Sequence, residues 1–214
     1  MTDSLLFISS LLFLTAGVTV LPFLSHRYKA KSCFIFVLLI AASTSIPAFK
    51  ALSGSAFDII IKDTPVFGNV SLHIDGLSAW FMLIINLTCI NGAFYGIGYM
   101  KQYEQQRANL SLHWMLFLLF QSSMLWVCMV QNGLVFLIVW ELMSISSFLL
   151  VIFDHENKKT LQAGINYLVQ MHIGVLFLAS AFIRVYFSEG SFEFSAIDKF
   201  FATNPNLWLF LLFF

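Results

Sequence analysis

The chain has 214 residues, of which 59% are hydrophobic and only 10% are charged. Soluble globular domains carry about 25% charged residues, so this apolar excess does not fit inside one soluble core. The 11 lysine and arginine residues balance the 11 aspartate and glutamate residues, and the lack of a basic excess argues against nucleic acid as a partner. The composition therefore predicts an integral membrane protein whose partner is the lipid bilayer.

Six apolar runs have the length of about 20 residues that a membrane-spanning helix requires. They cover residues 5–24, 33–52, 76–100, 110–130, 134–153 and 161–187. A seventh run, residues 207–214, has about eight residues and is too short to cross a bilayer. We therefore expect an all-α polytopic bundle with six complete spans and the start of a seventh. On this interpretation, residues 1–214 form a single transmembrane domain that is the N-terminal part of a larger subunit.

Two connecting segments are long enough to carry structure of their own. Residues 53–75 contain two β-rich stretches, 58–62 and 66–73, and the turn-forming pair Gly68-Asn69 follows the first of them. This pattern predicts a small extramembrane hairpin, with Gly68-Asn69 between its strands, lying on the membrane surface between spans two and three. Residues 188–206 are expected to form a polar loop with one amphipathic turn.

The orientation in the membrane follows from the basic residues of the short loops. Three alternate loops share one side of the membrane and hold most of these residues: Arg27, Lys29, Lys31, Lys101, Arg107, Lys158 and Lys159. Basic loops stay in the cytoplasm, or in the matrix of an organelle, so the N-terminus is expected outside.

Glu141 is the most prominent candidate for chemistry, because it lies near the centre of the fifth span. A charged side chain at mid-bilayer costs about 2.5–3.5 kcal/mol on insertion scales. Such a group persists when it faces a partner or water inside a bundle, and a carboxyl that switches between protonated and ionised states suits a proton relay. The alternative is a protonated Glu141 that makes one structural hydrogen bond between helices.

His172 is the second ionisable residue at depth, near the middle of the sixth span. Imidazole titrates near neutral pH and has two distinct nitrogens, so it can pass a proton along a chain. Ser144 shares a helix face with Glu141, and Asn166 lies within two turns of His172; both are candidates to hold water on a proton pathway. Ordinary helix packing is the alternative interpretation for Ser144, and a satisfied structural histidine is the alternative for His172.

Asp75 opens the third span and is predicted to be a structural cap, because an aspartate at a helix start accepts hydrogen bonds from free backbone N–H groups. The three cysteines lie in apolar runs without a CxxC pair, so neither a metal site nor a disulfide is predicted. The sequence also has no phosphate-binding loop, dinucleotide fingerprint or catalytic triad. We therefore expect no catalytic residue, no cofactor and no metal.

Several segments, in this order and spacing, resemble the antiporter-like proton-conducting family. That family covers the large pumping subunits of respiratory complex I, the large subunits of multisubunit (Mrp-type) Na⁺/H⁺ antiporters and matching subunits of membrane-bound hydrogenases. The segments are Asp-Gly-Leu-Ser at 75–78, Tyr-Gly-Ile-Gly-Tyr-Met at 95–100, Trp-Glu at 140–141 and Gln-Ala-Gly-Ile-Asn-Tyr at 162–167. Residues 140–143 and 147–148, followed by 171–174, most resemble the branch of hydrogenase-4 component B and formate hydrogenlyase.

The resemblance implies a function for two of the candidate residues. Glu141 would be the family's mid-membrane glutamate, which pairs with a lysine in the helix that follows the sixth span and whose protonation drives or gates proton movement. His172 would belong to the same polar axis in this branch only. The lysine and the second, inverted helix bundle of the family would lie beyond Phe214.

The resemblance also implies a setting in the cell. The chain would be a proton- or cation-translocating subunit of a redox-driven complex in a bacterial or archaeal inner membrane. Its partners would be other membrane subunits of the complex, and other subunits would carry out electron transfer. A subunit of a multisubunit Na⁺/H⁺ antiporter is one alternative. The other is a non-transporting membrane scaffold, in which Glu141 makes only a structural hydrogen bond.

Overall fold

The computed structural model describes residues 2–64, 68–103, 107–154 and 157–203. Its helices and strands, in chain order, are α1 Thr2–Val20, α2 His26–Leu52, β1 Phe57–Thr64, β2 Gly68–Ile74, α3 Gly76–Tyr99, α4 Arg107–Val127, α5 Gly133–Val151, α6 Lys158–Glu189 and α7 Phe194–Thr203. The predicted start of a seventh span, residues 207–214, lies outside the described residues.

Within the described part of the chain, six helices are long and apolar enough to cross a membrane. They are α1 to α6, so the predicted all-α polytopic bundle is confirmed. In lipid, backbone N–H and C=O groups find no water, and a helix satisfies them within its own segment. This is why long apolar runs become helices here with little need for sequence-specific signals.

The second span begins seven residues earlier than predicted, at His26 instead of residue 33. Arg27, Lys29 and Lys31 therefore lie in the first turns of α2, and the prediction that they form a loop is wrong. The exposed Arg27 and Lys31 can extend an apolar stem along the helix while the charged end reaches the membrane interface, whereas Lys29 is buried and donates to Ser111 of α4. The helix can therefore continue through them at its membrane boundary.

Helices α1 to α4 enclose the main buried core. Ile40 of α2, Met82 of α3, and Trp114 and Leu118 of α4 are almost completely buried in it. Helix α5 packs against α4, α6 packs against α5, and α7 packs against the C-terminal half of α6. The last two spans therefore lie at one side of the bundle and leave wide apolar faces exposed.

A small extramembrane layer covers one end of the bundle. Strands β1 and β2 pair antiparallel, so the predicted hairpin is present. Gly68 is paired with Thr64 inside the ladder, so the prediction that Gly68 and Asn69 separate the strands is wrong. The hairpin is also bonded to the loop between α4 and α5. His73 N donates to Met129 O at 2.8 Å, and Gln131 N donates to Ser71 O at 3.0 Å.

The predicted polar loop after the sixth span is instead a ten-residue helix, α7. The prediction of a single amphipathic turn in this segment is therefore too short. Ala196 and Phe200, four residues apart and on one helix face, are buried against Val185 of α6. Phe194 N donates to Gln131 O at 2.8 Å, which joins the start of α7 to the loop between α4 and α5.

Gly164 sets how closely α6 approaches α5 near their basic ends. A Cβ atom at this position would lie 2.4 Å from Ile152 Cγ2 and 3.4 Å from the ring of Phe148. Contacts of 2.4 Å do not occur between real carbon atoms, so only glycine permits this separation. The close approach brings the facing polar side chains of α5 and α6 within hydrogen-bonding range.

Candidate functional site

Glu141 lies in the middle of α5, eight residues after Gly133 and ten before Val151. Its side chain is 28% exposed. The carboxyl therefore lies at the side of α5 that faces α6, partly open to the outside of the bundle. A carboxyl at this depth needs a polar neighbour from another helix, because lipid supplies none.

His172 of α6 is that neighbour. Its Nε2 lies 3.1 Å from Glu141 Oε2, within hydrogen-bonding distance, and the histidine side chain is 45% exposed. Among the described residues, the contact joins the two deepest ionisable groups that the sequence singled out. It also joins two helices that follow each other in the chain and cross the membrane in opposite directions.

The second ring nitrogen of His172 is held by its own helix. Nδ1 lies 2.9 Å from the backbone oxygen of Leu168. A carbonyl oxygen only accepts, so Nδ1 must carry the hydrogen. Nε2 is therefore left to face Glu141, either as an acceptor from a protonated carboxyl or as a donor to a carboxylate. The pair keeps its hydrogen bond in both cases.

A second polar contact joins the same helices closer to the Lys158–Lys159 end. The hydroxyl of Tyr167 donates to Ser147 Oγ at 3.3 Å. On α5, Ser147 is six residues past Glu141, which at 1.5 Å per residue is roughly 9 Å along the axis. On α6, Tyr167 is five residues before His172, or roughly 7–8 Å. The sequence pattern did not single out this pair, because a tyrosine hydroxyl and a serine are common in any helix.

The other two predicted pathway residues do not touch the carboxyl of Glu141. The buried hydroxyl of Ser144 donates to the backbone oxygen of Glu141 at 3.3 Å, an arrangement that satisfies the serine within its own helix. Asn166 lies six residues before His172 and is exposed. In the described part of the chain, neither side chain bonds to the carboxyl of Glu141 or to the ring of His172, and their pathway roles stay predictions.

Asp75 caps α3, as the sequence indicates. Its Oδ1 accepts a hydrogen bond from Ser78 N at 2.7 Å. This bond stabilises the carboxylate and holds the pKa of Asp75 below its usual range. The contact is local to the helix start, at the end of the bundle that carries the hairpin.

A buried polar cluster lies in the α2–α3–α4 core. Asn86 Nδ2 of α3 donates to Thr44 Oγ1 and to Ser45 Oγ of α2, both at 2.9 Å. Its Oδ1 accepts a longer bond of 3.4 Å from Gln121 Nε2 of α4. Asn86 and Gln121 are at most 2% exposed, so the cluster ties three spans together without contact with solvent.

Comparisons with known proteins agree with this architecture. Residues 130–214 match the family model described as NADH:quinone oxidoreductase/Mrp antiporter, TM, and this region contains Glu141, His172, Tyr167 and Ser147. Hydrogenase-4 component B of Escherichia coli (strain K12) is 31% identical over 141 residues, which are 66% of this chain and 20% of that protein. Putative antiporter subunit mnhA2 of Staphylococcus aureus (strain JH9) is 34% identical over 149 residues, which are 70% of this chain and 16% of that protein.

The fold is also found in a solved structure. A chain of the membrane-bound sulfane sulfur reductase, an archaeal respiratory membrane complex, superposes with a TM-score of 0.73 at 19% identity, covering 89% of this chain and 38% of that one. The six spans define a polytopic helical membrane protein. The match over residues 130–214 and the relatives above make the chain similar to antiporter-like membrane subunits. The chain spans about a fifth of the length of the curated relatives it matches.

Proposed function

We propose that this chain is part of a proton-translocating membrane subunit of a redox-driven complex, and that Glu141 and His172 share a proton on its path. The 3.1 Å contact between Nε2 and Oε2 carries the proposal. With Nδ1 held by Leu168, the proton between the two groups has only two places to rest, on Oε2 or on Nε2. Moving it converts a neutral pair into an ion pair without breaking the hydrogen bond.

This arrangement supports transfer better than a structural role alone. A purely structural hydrogen bond between helices needs only a neutral polar pair, as the Asn86 cluster illustrates in the core. An ionisable carboxyl next to an imidazole costs more in lipid, and both groups can bind and release a proton, as the amides and alkyl hydroxyls of the core cluster do not. The partial exposure of both side chains leaves each accessible to a further donor or acceptor.

The pair lies against exposed apolar surface on α5 and α6, which includes Leu142, Val169 and Ile173. A polar pair open to lipid would be unfavourable. We infer that other membrane-embedded segments or subunits cover this face and supply the next group on the path. Moving one charge against 100 mV costs about 2.3 kcal/mol, and in this proposal redox partner subunits provide that energy.

The test uses the assembled complex in inverted membrane vesicles, with substrate-driven proton uptake as the measurement. Glu141→Gln should abolish uptake, because glutamine keeps the shape of the side chain and cannot bind a proton. Glu141→Asp should retain part of the activity, and His172→Gln should slow uptake strongly. Glu189→Gln, at the end of α6, is the matched carboxyl control and should leave uptake unchanged.

Assembly must be measured in the same vesicles, by quantifying the copurified subunits. Normal uptake with a fully assembled Glu141→Gln complex would refute the relay and favour the scaffold. An equal loss of proton uptake in Glu189→Gln would show that uptake does not depend specifically on a carboxyl in the middle of the membrane.

A subunit of a multisubunit Na⁺/H⁺ antiporter is the second candidate, supported by the 34% identity to putative antiporter subunit mnhA2. The same Glu141–His172 geometry would serve either machine. The redox complex and the antiporter can be distinguished by their partner subunits and by their energy source. Copurifying iron–sulfur or nickel proteins support the redox complex, whereas Na⁺-dependent proton exchange without such partners supports the antiporter.

A further inference from the structure

We propose that the basic ends of α2, α3 and α4 form a binding site for the phosphate group of an anionic membrane lipid. A cavity of about 90 Å³ lies where these helices meet. One water needs roughly 10–15 Å³ by this measure, so the cavity has room for several waters or for a phosphate group. Four basic residues line it: Arg27, Lys29, Lys31 and Lys101.

Lys29 is the residue that points to an anion. It is only 4% exposed, and its Nζ donates to the hydroxyl of Ser111 on α4. A protonated amine has three donors, and this single neutral acceptor does not balance its charge. Within the described ranges, no carboxylate lies in ion-pair contact with Lys29. Burying a cation without a counterion is costly, so the cavity favours an anionic occupant.

The other three cations reinforce this field. Arg27, Lys31 and Lys101 are exposed, and none is paired with a carboxylate in the part of the chain that the structure describes. Four converging positive charges raise the local concentration of anions. A phosphate group offers several acceptor oxygens, which suits a set of lysine and arginine donors better than a single carboxylate does.

The position of the cavity favours a lipid over a soluble anion. Arg27 is the first residue of a candidate membrane span, so the cavity lies at the boundary between the apolar helices and the basic side. Ile97 and Trp114 line the same cavity, and these side chains suit the glycerol and first methylenes of a lipid. Basic pockets between transmembrane helices on the cytoplasmic side are known binding sites for anionic headgroups.

The test is photo-crosslinking in membrane vesicles that contain the assembled complex. Phosphatidylglycerol with a photoreactive group near its headgroup should label peptides from residues 27–31 or 97–114. Matched photoreactive phosphatidylcholine should label them far less. Each basic residue near a membrane surface contributes about fivefold to the binding of an anionic lipid, so Arg27→Gln with Lys31→Gln should lower labelling about 25-fold at subsaturating lipid.

Two further variants complete the design. Lys158→Gln with Lys159→Gln removes the same charge at the start of α6, which does not line the cavity, and should leave labelling unchanged. Lys29→Met removes the buried cation and should lower labelling at least as much as one exposed lysine does. The Arg27–Lys31 double variant changes exposed side chains only, so it remains informative if Lys29→Met fails to assemble.

Three results would overturn the proposal. The first is a lack of selectivity, seen as equal labelling by the two lipids or as an equal loss of labelling in the Arg27–Lys31 double variant and in the Lys158–Lys159 control. The second is displacement of the label by inorganic phosphate as effectively as by unlabelled phosphatidylglycerol, which would assign the cavity to a soluble anion. The third result concerns Glu104, which lies outside the described residues. If phosphatidylglycerol labels Glu104→Gln selectively but does not label the wild type, the carboxylate of Glu104 is the anion at the cavity and the lipid is not.

Discussion

The hydroxyl of Tyr167 reaches Ser147 at 3.3 Å and so places a second polar contact between α5 and α6, on the Lys158–Lys159 side of Glu141 and His172. The two contacts lie about 8 Å apart along antiparallel helices. Water molecules hydrogen-bonded in a short chain can bridge such a distance. In the proposed function, this second contact is the approach by which a proton reaches the carboxyl from the basic side.

Tyr167→Phe should therefore slow proton uptake without preventing assembly. Phenylalanine keeps the ring packing and removes only the donor, and the loss of one hydrogen bond of about 1 kcal/mol corresponds to a rate about fivefold lower. Tyr186→Phe is the control, because Tyr186 stacks on Phe192 at the opposite end of α6. A rate unchanged in Tyr167→Phe, or lowered equally in both variants, would exclude the second contact from the path.

Gly164→Ala should destabilise the α5–α6 pair, because the new methyl group would clash with Ile152 Cγ2 at 2.4 Å. Overpacking of this kind costs about 1–3 kcal/mol. Gly174→Ala is a matched control on the same helix, where a Cβ meets nothing within 4 Å. Thermal unfolding in detergent should show a lower midpoint for Gly164→Ala only. Similar midpoints for the two variants would argue against close packing at Gly164.

Asn86→Ala should weaken the core of α2, α3 and α4. The substitution leaves the polar groups of Thr44, Ser45 and Gln121 without their partner in a buried site, at a cost of about 1–2 kcal/mol. Thr88→Ala serves as the comparison, because the exposed Thr88 hydroxyl bonds only to Ile84 O and Ile85 O of its own helix. The free energy of unfolding in detergent is the measurement, and equal losses for both variants would contradict the role of the cluster.

Asp75 should make stability depend on pH at the start of α3. Its pKa is lowered in the folded protein by the hydrogen bond from Ser78 N, so the unfolded chain binds the proton more readily. The stabilisation by the charge is therefore complete above the ordinary pKa of about 3.9 and is lost as the pH falls through the lowered value.

Asp75→Asn and Asp75→Ala separate the charge from the cap. Asparagine keeps an acceptor oxygen, so Asp75→Asn should lose this acid sensitivity while retaining the helix. Asp75→Ala should cost about 0.5–2 kcal/mol at neutral pH, because alanine has no side-chain acceptor. Melting temperatures of the three proteins across acid pH test both points. Identical acid sensitivity in wild type and Asp75→Asn would assign the effect to another carboxyl.

Several features could be predicted from the sequence because they depend on local properties. The six spans follow from length and apolar composition, since lipid leaves the backbone no other way to satisfy its hydrogen bonds. The cap by Asp75 follows from a contact three residues away. The likeness to antiporter-like membrane subunits follows from ordered motifs such as Trp140-Glu141, which need no knowledge of how the helices pack.

Other features depended on contacts between distant parts of the chain. The sequence predicts a loop where the structure has the basic start of α2, because Lys29 is accommodated by Ser111, 82 residues away in sequence. The sequence predicts only one amphipathic turn in place of helix α7, because its apolar face is buried only in the folded chain, where Val185 covers Phe200. In both cases the local composition predicts a solvent-exposed segment, and a contact with a distant residue makes it part of a packed helix instead.

The amino-acid sequence by itself determined that a carboxyl and an imidazole lie deep in two consecutive membrane spans. Only the tertiary structure decided that they meet. Glu141 and His172 are far apart along the chain, and their contact depends on the rotation of α5 and α6 about their axes and on the distance between them. Those quantities are set by side-chain packing, including the absence of a side chain at Gly164 against Ile152 and at Gly133 against Phe182, which no helical periodicity encodes.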